Sequence, residues 1–159
     1  MDKVTAFVGL GSNLGDRSRT LTSAVALMGE LDGVLVRRVS PLVETAPVGG
    51  PASQAMYLNG VAEIETTLAP MALLEALQGV EKALGRARPG ERLGPRTCDL
   101  DIVLMGDVVM DSDRLTIPHP RMHQRRFVLE PLAQLAPEAT HPTLGRTAGE
   151  LLAQLDRQS

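Results

Sequence analysis

The chain has few cysteines and few aromatic residues, and each shortage excludes a class of protein. Its 159 residues include one cysteine, Cys98, so neither an internal disulfide framework nor a cysteine-based zinc site can form within it. It contains no tryptophan, one tyrosine and two phenylalanines. No apolar run is as long as a membrane span, and no signal peptide is recognisable, so we expect a cytoplasmic location.

The chain also lacks a large net charge. Its formal net charge of −3 gives no support for general nucleic-acid binding. The arginines are nevertheless concentrated in two segments, which contain Arg86, Arg88, Arg92 and Arg96 and then Arg114, Arg121, Arg125 and Arg126. With 43% hydrophobic and 22% charged residues, the composition is that of an ordinary globular protein, and the length predicts one domain over residues 1–159.

The most informative stretch is residues 94–104, where two carboxylates precede a run of apolar residues. The β-branched and large apolar side chains predict a strand over residues 98–105. Asp99 and Asp101 should therefore project from one face of that strand, with their Cα atoms roughly 6.6 Å apart. Two such carboxylates repel each other unless a cation lies between them or one of them is protonated, and Mg²⁺ shared with phosphates would supply the cation. For an Asp-x-Asp pair alone, the solvated face of an edge strand is the commoner explanation.

Hydrophobic periodicity and turn residues divide the rest of the chain into strands and helices. Strands are predicted over residues 4–10, 34–39, 42–44, 56–64, 98–105 and 108–110, and helices over 16–31, 70–84, 127–135 and 147–156. Asp16 and Thr147 are expected to cap their helices. Irregular surface loops are predicted over 46–53 and 86–97, and a polar connection over 116–126. Strand–helix–strand followed by strand–helix–strand is the split βαβ order, which predicts an α+β, ferredoxin-like fold with helices packed on an antiparallel-rich sheet.

Three glycines near the first strand invite comparison with a dinucleotide-binding fingerprint. Gly9, Gly11 and Gly15 follow the strand, but Leu14 occupies the place of the third glycine of that fingerprint. No acidic residue ends a second strand at the expected distance. We therefore set this interpretation aside.

Four short motifs occur in order along the chain. They are Gly11-Ser12-Asn13-Leu14, Tyr57-Leu58-Asn59, Gly94-Pro95-Arg96-Thr97-Cys98-Asp99-Leu100-Asp101-Ile102 and Ile117-Pro118-His119-Pro120-Arg121-Met122. Together they resemble the 6-hydroxymethyl-7,8-dihydropterin pyrophosphokinase (HPPK) family over nearly the whole chain. The resemblance implies a ferredoxin-like fold and transfer of the terminal diphosphate of ATP to the pterin hydroxymethyl group, with release of AMP, in folate biosynthesis.

The resemblance also implies roles for residues of the nucleotide site. Asp99 and Asp101 would hold two Mg²⁺ ions that bridge the ATP phosphates and the attacking oxygen. Arg86 and Arg96 would meet the triphosphate, because guanidinium groups bind phosphate oxygens in pairs. Further ATP contacts would come from Gln78, Arg88, Ile102, Arg114, Thr116, His119 and Arg125, with Glu81 near the nucleotide. Either Asp101 or a water molecule could accept the proton of the pterin hydroxyl group.

The same resemblance implies a pterin site that uses two of the three aromatic residues. A flat heterocycle needs stacking partners and a few fixed polar groups. Tyr57 and Phe127 would sandwich the pterin ring, Asn59 would bind its polar edge, and Thr45 and Val48 would offer backbone hydrogen bonds. Phe7 is expected in the core.

Two other functions remain to be distinguished from a diphosphotransferase. A non-catalytic ATP-sensing module on a ferredoxin-like fold would bind ATP through the arginines without needing a metal pair. A metal-dependent nuclease would use the Asp-x-Asp pair, but it needs a basic groove, and the net charge of −3 argues against one. We therefore expect Mg²⁺, ATP and 6-hydroxymethyl-7,8-dihydropterin as ligands, a monomer, and neither nucleic acid nor membrane as a partner.

Overall fold

The computed structural model describes residues 3–12, 17–45, 57–85 and 98–158. The strands are β1 (Val4–Ser12), β2 (Val34–Val39), β3 (Val43–Thr45), β4 (Tyr57–Thr66), β5 (Asp99–Met105), β6 (Met110–Asp111) and β7 (Thr116–Ile117). The helices are α1 (Arg17–Gly29), α2 (Pro70–Gly85), α3 (Arg126–Leu135) and α4 (Ala148–Arg157), with a 3-10 turn at Met122–Gln124. The predicted loops over 46–53 and 86–97, and the predicted cap at Asp16, lie outside the described residues.

The main sheet is antiparallel and has the strand order β2-β4-β1-β5, with β3 also paired to β4. The helices α1 and α2 are the crossovers of the two βαβ units and pack on one face of this sheet. Helices α3 and α4 pack on the opposite face. We name these the α1/α2 face and the α3/α4 face. The predicted ferredoxin-like α+β arrangement is confirmed.

Alternation along the central strands assigns their side chains to the two faces. The α1/α2 face is apolar along its length and contains Ala6, Val8, Leu10, Ala62, Ile64, Leu100 and Ile102, packed against Leu21, Met28, Leu73 and Leu77. The α3/α4 face has a smaller core that contains Phe7, Val61, Val103, Leu104, Leu129 and Leu132. The expectation that Phe7 belongs to the core is confirmed, since its side chain is 7% exposed.

A β-bulge interrupts the pairing of β1 with β5. Phe7 pairs with Leu104 and Val8 with Ile102, so Val103 is the extra residue on β5. The bulge turns both Val103 and Leu104 towards the α3/α4 face. Between Asp99 and Ile102 the side chains alternate regularly, and this regular part of β5 contains the two carboxylates.

The end of the chain differs from the sequence prediction in one connection. The predicted polar connection over 116–126 contains two short regular pieces that were not predicted: Thr116–Ile117 pairs with Met110–Asp111, and Met122–Gln124 forms a 3-10 turn. Pairs of two residues are too short to produce a hydrophobic period in the sequence. The predicted strand over 108–110 is likewise reduced to Met110–Asp111.

One predicted helix start, and the turn between α1 and β2, have clear local causes. Thr147 caps α4 as predicted, in a capping box in which its hydroxyl accepts from the Glu150 backbone N–H and Glu150 accepts from the Thr147 N–H. Gly33 follows α1 with φ of 81°, and a Cβ there would lie 3.0 Å from Thr67 Oγ1. In the described part of the chain, no helix has the length and apolar character needed to cross a membrane.

Candidate active site

Two carboxylates stand on the α3/α4 face at the start of β5. Leu100 and Ile102 are buried on the opposite face, so the intervening Asp99 and Asp101 project together as predicted, the first half-buried and the second exposed. On β1, Gly11 pairs with Asp99 and Gly9 pairs with Asp101. Neither position carries a side chain. Gly11 is buried, and at Gly9 a Cβ would lie 3.4 Å from Val103 Cγ2.

A polar row crosses the sheet at Gly11. Gly11 pairs with Asp99 on one side and with Asn59 of β4 on the other, so Asn59 and Asp99 lie two strands apart, a distance of roughly 10 Å. Asn59 is 7% exposed, and its Nδ2 donates to Thr45 Oγ1 at 2.6 Å. A Cβ on Gly11 would lie 3.4 Å from Asn59 Oδ1. The structure thus brings together Thr45 and Asn59, both predicted from the sequence. We call the strip of the α3/α4 face from Asn59 across Gly11 to Asp99 the trough.

The two remaining aromatic residues lie on the same face. Tyr57 pairs with Thr45 and is two residues from Asn59, so its side chain projects from the α3/α4 face. Phe127 is in the first turn of α3, the helix that packs on β4. Both rings are half-buried. Val48, the other residue predicted to bind the pterin, lies outside the described residues.

His119 is tied to β5 close to the carboxylates. Its backbone N–H donates to the Val103 carbonyl at 2.9 Å, and its Nδ1 accepts from the Arg121 N–H at 3.3 Å. Burial lowers the pKa of His119, the Asp101 carboxylate opposes that effect, and the positive charges of Arg125 and Arg121 add to it. The neutral imidazole with Nδ1 as acceptor carries its proton on Nε2.

The other residues predicted to contact ATP lie around α2 and the β6–β7 ribbon. Gln78 is exposed on α2, and one turn before it Glu75 Oε2 lies 3.7 Å from Arg114 Nη1. Thr116 Oγ1 donates to Asp111 Oδ1 at 3.3 Å. The Ile102 side chain is 3% exposed, in the core under α2.

The predicted ATP residues therefore form two groups. Gln78, Ile102, Arg114 and Thr116 lie towards α2 and the ribbon, whereas His119 and Arg125 lie towards the carboxylates. Arg86, Arg88 and Arg96 lie outside the described residues, so their predicted contacts stay predictions.

Glu81 has a structural contact that its sequence position did not reveal. Its Oε2 accepts from the Leu100 N–H at 2.7 Å and so holds the start of β5 against α2. Burial raises the pKa of the Cys98 thiol to about 12, with smaller contributions from the charges of Glu81 and Asp99. The thiol is therefore protonated and unreactive at neutral pH. Sequence reasoning also missed that Gly9 and Gly11 pair with Asp101 and Asp99, although two glycines within one strand are a signal of close approach.

The two carboxylates suit a metal ion that is shared with a ligand. The described residues contain no group of three or more His, Cys, Asp or Glu side chains that could hold a metal ion. Mg²⁺ is commonly bound by one or two carboxylates together with substrate phosphates, whereas a closed structural site needs four protein ligands. Asp99 and Asp101 therefore fit Mg²⁺ as part of a substrate complex.

A carboxylate pair at the end of the trough, with aromatic side chains on the same face, defines a candidate ligand site on a ferredoxin-like fold. Residues 7–137 match the family model described as 7,8-dihydro-6-hydroxymethylpterin-pyrophosphokinase (HPPK). The chain belongs to this family.

Relatives from several organisms are similar over most of the chain. A 2-amino-4-hydroxy-6-hydroxymethyldihydropteridine pyrophosphokinase of Bacillus subtilis is 48% identical over 82% of this chain and 77% of its own length. One of Pseudomonas aeruginosa is 46% identical over 92% of this chain and 89% of its own length. The folic acid synthesis protein fol1 of Schizosaccharomyces pombe is 41% identical over 96% of this chain, which spans only 21% of fol1.

Solved structures share the fold at low sequence identity. A crystal structure of HPPK-DHPS in complex with substrates has a TM-score of 0.76 at 12% identity and covers 99% of this chain, which spans 44% of that protein. A Plasmodium falciparum HPPK-DHPS triple mutant has a TM-score of 0.74 at 13% identity. The match covers 96% of this chain and 43% of the Plasmodium chain. At these identities the likeness concerns the fold alone.

Proposed function

We propose that this protein transfers diphosphate from ATP to 6-hydroxymethyl-7,8-dihydropterin and yields AMP and the pterin diphosphate, as a step of folate biosynthesis. Membership of the HPPK family supports this reaction. The observation that carries it is the row Asn59–Gly11–Asp99, which joins a buried amide to a carboxylate pair across a residue without a side chain. An ATP-sensing module would need neither the amide nor the glycine.

The pterin would lie across Gly11 with its polar edge towards Asn59 and Thr45. The hydrogen bond from Asn59 to Thr45 fixes the amide, which leaves Oδ1 as an acceptor for a donor on the ring. Tyr57 and Phe127 would stack on the ring faces. In this orientation the hydroxymethyl group extends towards Asp99 and Asp101.

Asp99 and Asp101 would hold Mg²⁺, and two ions are expected. Bound there, the metal would neutralise charge on the phosphate oxygens and lower the barrier to displacement at phosphorus. The pterin hydroxyl oxygen forms a bond to the β-phosphorus of ATP, and the bond from that phosphorus to the bridging oxygen of AMP breaks. The hydroxyl proton passes to Asp101 or to water, and both remain open as acceptors.

His119 suits the role of a hydrogen-bond donor rather than that of a base. Its Nδ1 already accepts from the Arg121 N–H, so its Nε2–H is the group available to a phosphate oxygen. Burial keeps its pKa low, which favours the neutral donor. Arg86 and Arg96 complete the proposed triphosphate site.

ATP would cross the outer edge of β5 between the two groups of nucleotide residues. The Leu100 N–H points to that edge, where Glu81 accepts it, and strand geometry repeats every two residues. The N–H and C=O of Ile102 should therefore point to the same edge, where they can pair with the adenine base. The side chain of Ile102 stays in the core.

The remaining parts of the proposal concern the whole protein. We propose that residues 1–159 act as a single domain and a monomer in the cytoplasm, with no nucleic-acid or membrane partner. Sedimentation of the purified chain as a dimer would contradict the monomer.

A product assay tests the proposed reaction. The protein is incubated with ATP, Mg²⁺ and 6-hydroxymethyl-7,8-dihydropterin, and the nucleotides are separated. We expect AMP in equal amount to pterin diphosphate, and no turnover when Mg²⁺ is chelated. Formation of ADP would mean transfer of a single phosphoryl group, and ATP binding without turnover would favour the sensing module.

A further inference from the structure

Two adjacent arginines at the start of α3 have different surroundings. Arg126 forms ion pairs with Glu130 of α3 and with Asp156 of α4. Arg125 forms no ion pair with a carboxylate in the described ranges, and its guanidinium carbon lies 5.5 Å from the centre of the Phe127 ring. The Arg126 guanidinium therefore links α3 to α4, whereas the Arg125 guanidinium lies over an aromatic ring.

The backbone explains how these two side chains meet. Residues two apart within a helix project in different directions and do not touch. Arg125 precedes the helix, and its extended backbone, with φ −116° and ψ 105°, lets its side chain turn over the ring of Phe127. The Arg125 N–H donates to the Met122 carbonyl, and its carbonyl accepts from the N–H groups of Val128 and Leu129. Arg125 is thus held on both sides by hydrogen bonds.

The same guanidinium also acts on the carboxylate end of the site. Its charge contributes to the lowered pKa of His119, which Asp101 influences in the opposite direction. Arg125 is therefore in contact with Phe127 and within electrostatic range of His119. A residue in that position can influence both substrates.

We propose that Arg125 is a positioning residue for the pterin: it covers one face of Phe127 and fixes the ring so that its other face can stack on the substrate. The inference rests on the proposed function, in which Phe127 stacks on the pterin. A guanidinium over an aromatic face is an attractive contact whose strength grows as water is excluded. The affinity for pterin should then depend on Arg125 through Phe127, whether or not ATP is bound.

A double-mutant cycle measures this dependence. Calorimetric titration with 6-hydroxymethyl-7,8-dihydropterin is carried out without nucleotide and again with a saturating non-hydrolysable ATP analogue. The proteins are the wild type, Arg125→Met, Phe127→Leu and the double variant. We expect Arg125→Met to weaken pterin binding by roughly threefold to tenfold, the range for a half-buried contact of this kind. In the Phe127→Leu background the same substitution should have almost no effect.

Two further variants serve as controls. Arg125→Lys keeps the charge but loses the planar group, so it should weaken pterin binding less than Arg125→Met does. It also keeps the proposal testable if Arg125→Met does not fold. Arg37→Met removes an exposed arginine of β2, at the opposite edge of the sheet from β5, and should leave pterin affinity unchanged.

The outcomes separate this inference from the proposed function. If the wild type binds pterin and Arg125→Met binds it equally well while its KM for ATP rises, Arg125 contacts only the nucleotide and the inference is wrong. An undiminished effect of Arg125→Met in the Phe127→Leu background also overturns it. Failure of the wild type to bind pterin under either condition would refute the proposed function itself.

Discussion

The two faces of the sheet are made by the same strands but are organised differently. On the α1/α2 face, β1 contributes Ala6, Val8 and Leu10 in succession to one continuous core. On the α3/α4 face the same strand contributes Phe7 to a smaller core and then Gly9 and Gly11, which have no side chains and pair with Asp101 and Asp99. The apolar pattern is thus complete on one face and stops halfway along the other.

The difference indicates which face stabilises the fold and which face carries the candidate site. Apolar burial on the α1/α2 face supplies the main driving force for folding and holds the strands in register. The half of the α3/α4 face that contains Gly9 and Gly11 also contains Asp99 and Asp101, so two repelling charges are kept together there. Functional sites are where a sequence is expected to depart from the patterns that favour folding, as the apolar alternation of β1 does at Gly9 and Gly11.

The largest expected effect comes from a matched pair of substitutions on the two faces. Asp101→Asn should lower the rate of AMP formation by roughly 10²- to 10³-fold, the range for removal of one preorganised electrostatic contact. Because it removes a like charge from an exposed position, the free energy of unfolding should change by no more than about 0.5 kcal/mol. Nucleotide separation and urea denaturation give the two quantities.

The partner substitution is Ile64→Val in the core of the α1/α2 face. Ile64 is fully buried, so loss of one methyl group should cost about 0.5–1.5 kcal/mol of stability while turnover stays at the wild-type rate. If the Ile64 variant lost turnover as severely as the Asp101 variant, the division between the two faces would be wrong.

A smaller effect is expected at the other end of the trough. Asn59→Ala removes the buried amide that is hydrogen-bonded to Thr45. Loss of that polar contact should weaken pterin binding by roughly tenfold or more, given the usual cost of about 1–3 kcal/mol for an unmade buried hydrogen bond. Affinity for an ATP analogue should stay unchanged, and a parallel loss of both affinities would mean that Asn59 supports the whole sheet rather than the pterin.

The smallest effect concerns pH and the connection between α3 and α4. His141 is 7% exposed, and its Nδ1 accepts from the N–H groups of Thr143 and Leu144 at 3.2 and 3.0 Å. Burial, followed by the charge of nearby His123, lowers the pKa of His141 below its ordinary value of 6.5. The folded state therefore favours neutral His141, and the unfolded state takes up the proton first as the pH falls.

The sign of the effect follows from that difference. The contribution of His141 to stability is complete above pH 6.5 and is lost as the pH falls from there towards the lowered pKa of the folded state. The urea midpoint should fall between about pH 7.5 and about pH 5.5, and less so in His141→Asn, whose amide oxygen can accept the same bonds without titrating. The lowered pKa of His119 acts in the same direction, so some pH dependence should persist. An identical pH dependence in wild type and variant would remove His141 from the account.

Much of the fold could be predicted because its signals are local or periodic. The alternation in β5 predicted that Asp99 and Asp101 share a face, and Thr147 followed by Glu150 was a recognisable capping signal. The β6–β7 ribbon could not be predicted, because its two-residue strands are too short to show a period.

The candidate site was predicted as a set of residues but not as an arrangement. The resemblance pointed to Asn59 and Asp99, yet only strand register shows that Gly11 separates them. The contact of Arg125 with Phe127 depends on where α3 begins, and helix boundaries are weakly determined by sequence. Contacts of this kind depend on tertiary structure, and no single stretch of sequence contains them.

The central claim is that the reaction takes place on the half of the α3/α4 face that contains Gly9, Gly11 and the two carboxylates, and Mn²⁺ can locate it directly. Mn²⁺ accepts the same oxygen ligands as Mg²⁺ and broadens the NMR signals of nearby nuclei. With a non-hydrolysable ATP analogue present, we predict the strongest broadening at the amides of Gly9, Gly11 and Asp101. The buried amides of α1 near Met28 should be much less affected, and Asp101→Asn should reduce the effect. Broadening centred on α1, or equally strong in the Asp101 variant, would contradict the account.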